Sequence, residues 1–271
     1  NQVISNGPIQ VYGDGVEKYG SWQVKNVNDR ILIKSSARIW SNTNCDFTTN
    51  LGDITLWSNS DNATTGDNPG NIYLSNQTDF NTFNGVAAAT TPNYSSPWGS
   101  LTATTGGDIT LGGGLASSAD ANRPGGYAYS GNSADMAVRL GISPDSFIMY
   151  SGGGDISIKG AYNNNSTVQV AVMTIGGTVI NAGAGKIYIE GNSTGTKGRG
   201  VELLHGANSN GFFYSTGGAS KTDPAITIKG STLDTSDTGI LAAYWSYEPN
   251  NMLLQALGSG GILFEGSAPA N

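Results

Sequence analysis

The sequence predicts an all-β chain wound as a single-stranded parallel β-helix, a right-handed β-solenoid with about 19 residues per coil. Three observations predict it. A turn residue followed by an apolar–polar–apolar triplet recurs along the chain, as in Gly52-Asp53-Ile54-Thr55-Leu56 and Gly107-Asp108-Ile109-Thr110-Leu111. Glycine makes up 40 of 271 residues while charged residues are only 12%, a balance that suits tight corners and short strands rather than long solvated helices. No long stretch carries the i, i+3, i+4 apolar stripe of an amphipathic helix; the best short candidate, 251–257, runs into Gly-Ser-Gly-Gly.

Taken in order, the first strands are Ile9-Gln10-Val11 and Ile31-Leu32-Ile33. The phrase then appears at Gly52, at Gly70-Asn71-Ile72-Tyr73-Leu74 and at Gly107. It returns at Gly154-Asp155-Ile156-Ser157-Ile158 and Gly185-Lys186-Ile187-Tyr188-Ile189, with weaker copies at Ala225-Ile226-Thr227-Ile228 and Gly261-Ile262-Leu263-Phe264. From Ile54 to Ile262 is 208 residues, or about eleven units at the repeat length expected of a solenoid. The inward residues Ile54 and Leu56 are then expected to stack directly under Ile72 and Leu74. Eleven coils at strand spacing make a rod roughly 55–65 Å long. Further strands of the same coils are expected in 147–150, 167–172 and 178–180. Gly112-Gly113-Gly114 and Gly152-Gly153-Gly154 mark sharp bends. Polar insertions near 58–70, 76–100 and 116–134 are expected to project as loops. No composition break demands a second domain, so residues 1–271 are taken as one β-solenoid domain.

Composition also limits the function. A net charge of -7 with no basic patch argues against nucleic acid as a partner. No run of 18 apolar residues is present, so no membrane insertion is expected. Cys45 is alone, which leaves no internal disulfide and no cysteine-based metal site. The chain begins at Asn1, and both ends read as strands without capping helices. It is therefore expected to be a segment of a larger protein, or a subunit that joins others head to tail.

Polysaccharide-degrading enzymes share the β-helix architecture, so catalysis has to be weighed. Their carboxylate chemistry needs acids held roughly 5–9.5 Å apart. This chain has no adjacent Asp pair, and its one histidine, His205, has no histidine or cysteine partner. Asp53, Asp108 and Asp155 recur where each strand begins, which reads as turn chemistry. The 152–155 run departs from the calcium-binding nonapeptide order, and Asp234 and Asp237 read as solvated turn residues. No catalytic residue, metal or cofactor is assigned, and no enzyme activity is expected. The binding candidates are loop aromatics beside polar residues: Tyr244, Trp245 and Tyr247, together with Trp98, Tyr127 and Tyr129. Such rings suit sugar stacking or interface anchoring, although burial against the rod is the commoner use of aromatics.

The stretch Thr105-Gly106-Gly107-Asp108-Ile109-Thr110-Leu111, with 182–191 in similar style, resembles the repeats of filamentous-haemagglutinin-type bacterial surface adhesins. The resemblance spans about residues 50–266, without the amino-terminal secretion module of those proteins and without a strict repeat. It implies a secreted, extracellular or cell-surface rod that presents loops to cell-surface or matrix glycans or proteins. The competing expectation is a carbohydrate-binding or polysaccharide-degrading β-helix protein.

Overall fold

The computed structural model describes residues 2–63, 70–75, 77–83, 102–131, 136–141, 146–165, 169–205, 211–244 and 252–269. Among these there is no helix. The strands fall into three long parallel sheets, and the chain visits the sheets in rotation. The first coil runs Gln2–Ser5, Ile9–Gly13 and Val16–Lys18; the second runs Ser21–Val27, Ile31–Ser35 and Ile39–Ser41. The pattern continues to Met252–Ala256 in the first sheet and Ile262–Ser267 in the second. This is the topology of a parallel β-solenoid.

The second sheet carries the recurring phrase. Its main path is Ile9–Gly13, Ile31–Ser35, Ile54–Ser58, Ile109–Ala116, Ile156–Tyr162, Ile187–Ser193, Ile226–Thr232 and Ile262–Ser267. The first isoleucines pair one above another through the whole series. The steps between them are 22, 23, 55, 47, 31, 39 and 36 residues, so no uniform 19-residue coil exists along this column. Ile72 is not part of it. It lies in the third sheet, paired with Ile39 and Val138, while Ile54 pairs with Ile31 and Ile109. The expected stacking of Ile54 under Ile72 is therefore corrected: the two belong to different faces of one coil. Both faces need the same apolar–polar–apolar triplet to bury one side, so the triplet alone does not tell them apart. Seven steps at strand spacing span about 34 Å, shorter than eleven coils require.

Burial follows the period of two. Ile156–Tyr162 and Ile187–Ser193 alternate buried and half-buried residues along their full length. Ile31, Ile54, Ile109, Ile156, Ile187 and Ile226 all point inward and are fully buried, within one core cluster that runs from Val24 to Ile228. The first sheet adds an aromatic column. The Phe47 and Phe80 rings stack at 4.6 Å, flanked by Trp22 at 6.2 Å and Phe147 at 5.9 Å.

Close stacking explains the glycine that opens the phrase. A Cβ on Gly107 would lie 2.2 Å from the Gly52 carbonyl oxygen, and one on Gly154 would lie 2.3 Å from that of Gly107. Corners that nest this tightly leave no room for a side chain.

Candidate functional site

Beside the glycine column runs a ladder of aspartates. Asp53 Oδ1 accepts the Asp108 backbone N–H at 2.8 Å, and Asp108 Oδ1 accepts that of Asp155 at 2.7 Å. Asp155 Oδ1 accepts the Lys186 N–H at 2.8 Å. Each carboxylate thus satisfies the donor entering the next coil's strand. The second oxygens are clamped from outside: Arg123 reaches Asp53 Oδ2 at 2.7 Å and also pairs with Asp108 and Asp120. Burial alone would weaken the Arg123 charge, but the Asp53 and Asp108 carboxylates outweigh it and hold the guanidinium protonated.

The outer face of the second sheet continues the charge pattern. Lys159, Glu190, Lys229 and Glu265 occupy one column in alternating sign. Lys229 pairs with Glu265 at 2.8 Å. Glu190 accepts hydrogen bonds from Tyr127 at 2.9 Å and Tyr188 at 2.8 Å. Burial, then the bond to Glu190, pushes the Tyr127 hydroxyl up to about 12, and the same causes raise Tyr188. Next to this column lies a groove of about 420 Å³ bordered by Asp155, Lys159, Lys186, Tyr188, Asp223 and Thr227. Lys186 is tied to Asp223 across it. The groove presents paired charges and hydroxyls.

The aromatic candidates are dispersed. Tyr127 is half-buried on the second-sheet face, in the network with Glu190. Tyr129 is only 7% exposed, in Ala128–Ser130, so it packs into the structure rather than presenting a ring. Tyr244 ends the Ile240–Tyr244 strand, where its backbone pairs with His205. Trp98, Trp245 and Tyr247 lie outside the described residues. Asp234 is a turn residue, its Oδ1 accepting from the Ser236 N–H and hydroxyl, but the solvated reading is corrected: Asp234 is only 2% exposed, and Asp237 is largely buried in a pair with Arg199 at 2.6 Å. Among the described residues no group of three or more His, Cys, Asp or Glu side chains is placed to hold a metal. No described helix is long and apolar enough to cross a membrane.

The charge column and Tyr188 are not among the candidates read from the sequence, whereas Tyr127 is, yet the signal of the column is in the sequence. Lys159, Glu190, Lys229 and Glu265 each follow an apolar–variable–apolar triplet and precede a glycine. Read as one register column, they alternate in sign. The Arg123 clamp had no such signal, because it reaches Asp53 and Asp108 from a turn outside the repeated phrase, 70 and 15 residues away in sequence. No protein-family model matches the chain, and neither a curated protein nor a solved structure matches it.

Proposed function

We propose that this chain is a structural and adhesive segment of a secreted bacterial cell-surface protein, a stiff right-handed β-helical rod whose sides meet glycans or proteins. One observation carries this reading. The second sheet keeps its register through eight rungs, and Asp53, Asp108, Asp155 and the Lys229–Glu265 pair tie one coil to the next along the axis. Such a column resists bending and leaves a continuous polar flank for a partner. The right hand proposed here is the one that parallel crossover connections favour. The aspartates that a polysaccharide-degrading enzyme would need as acid and base are engaged here by backbone N–H groups and Arg123, which favours binding over cleavage.

The test is retention of the purified chain on surfaces coated with host or matrix glycans and proteins, with released reducing sugar assayed in the same wells. The reading expects retention on at least one surface without sugar release. No retention anywhere, or retention with steady release of new reducing ends, would overturn it.

A further inference from the structure

The outer face of the third sheet holds a cleft of about 230 Å³ lined, among the described residues, by Arg38, Trp40, Asn71 and Tyr73. Strand register assembles it. Trp40 pairs with Tyr73 and Tyr73 with Arg139, so three outward side chains stack in one column. Arg38 and Asn71 lie two residues before Trp40 and Tyr73 and face the same way. The two rings meet edge to face at 5.9 Å. The Arg38 guanidinium sits 5.3 Å from the Trp40 ring centre, and that of Arg139 sits 4.7 Å from the Tyr73 ring centre.

Two polar atoms here are buried and have no hydrogen-bond partner among the described residues: Trp40 Nε1 and Asn71 Oδ1. Asn71 is itself only 4% exposed. One atom is a donor and the other an acceptor, and leaving such buried atoms unpaired is costly. A hydroxyl-bearing ligand serves both, since a hydroxyl donates and accepts. The aromatic rings suit the C–H face of a pyranose. Neither Arg38 nor Arg139 has a carboxylate partner among the described residues. Glu17, one rung before Trp40, is held by the Tyr19 hydroxyl at 2.6 Å. Of the two arginines, Arg38 borders the cleft, while Arg139 Nε donates to the Gly141 carbonyl oxygen; an Arg38 guanidinium without a carboxylate partner suits an anion, and a planar carboxylate matches its fork.

We propose that this cleft binds an acidic pyranoside, a uronate-type unit of a glycan. The inference rests on the adhesive reading in taking a glycan as partner, and deepens it by naming the sugar class and the residues. Arg38 pairs with the carboxylate, the Trp40 and Tyr73 rings hold the sugar ring, and Trp40 Nε1 and Asn71 Oδ1 bond its hydroxyls.

The experiment is calorimetric titration of the purified chain with a galacturonate hexamer and, separately, a neutral galactose hexamer. The acidic hexamer is expected to bind at least tenfold more tightly, the order of one charge-assisted hydrogen bond. Arg38→Ala, at an exposed position, should remove that preference and leave the thermal unfolding curve unchanged. Trp40→Phe keeps a ring but removes the N–H, and should weaken both hexamers severalfold. Equal affinity for the two hexamers, or an undiminished preference in Arg38→Ala, would overturn the site. If the chain still adheres to glycan surfaces, only this inference falls; if neither hexamer nor any surface is bound, the adhesive reading falls with it.

Discussion

At the residue scale, the phrase Gly-Asp-Ile resolves into three separate requirements. Isoleucine fills the core, aspartate satisfies the backbone N–H of the next coil, and glycine lets consecutive corners nest. The glycine requirement is the strictest. Gly107→Ala places a methyl 2.2 Å from the Gly52 carbonyl oxygen and 2.3 Å from its carbon, so backbone has to move. The expected loss is about 1–3 kcal/mol, the range for overpacking a close-packed site. Gly261→Ala is the control, because a Cβ there meets nothing within 4 Å; its effect should stay within about 0.5 kcal/mol. Denaturant unfolding of the two variants checks both values, and equal effects would refute the nesting explanation.

At the element scale, short strands gain their stability from what stacks on either side. Asp79–Asn81 is a three-residue strand between Phe47–Asn50 and Ser146–Tyr150. Burial, with Asp46 adding to it, raises the Asp79 carboxyl from 3.8 to about 6. The folded state therefore holds this proton more tightly than the unfolded chain. Its contribution to stability is full below about pH 4 and is lost as pH rises through about 6. Asp79→Asn should abolish this loss, so wild type should lose stability relative to the variant between pH 4 and 6. Parallel melting curves across that window measure it, and a constant gap would contradict the assignment.

How much was legible is also clearest among the strands. The isoleucine of almost every copy of the phrase, from Ile54 to Ile262, lies in one column of the second sheet, with Ile9 and Ile31 extending it. Alternation and corner glycines were enough to find them. Ile72 misled because a third-sheet strand buries its alternate residues in the same way. Coil length failed with it, since the 55-residue step from Ile54 to Ile109 takes in a third-sheet strand, a first-sheet strand and long insertions that obey no period. The cleft was not legible at all. Trp40 and Tyr73 are 33 residues apart and meet only through strand register, whereas the aromatics singled out in sequence were neighbours in insertions.

At the scale of the whole molecule, three sheets stacked without a break make stiffness the property on which the adhesive reading depends. Neighbouring coils share a core cluster, with an aspartate ladder from Asp53 to Asp155 and a charge column from Lys159 to Glu265 along the same axis. Bending would have to disturb several of them together. Gln10 and Leu263 are both exposed and stand at opposite ends of a single register column in the second sheet, seven steps apart. Spin labels on Gln10→Cys and Leu263→Cys, measured by double electron–electron resonance, read that span directly. A straight solenoid predicts one narrow distance distribution centred at about 34 Å, broadened only by the label linkers. A broad distribution, or a distance well short of that value, would contradict the rigid rod and the sidewall binding built on it.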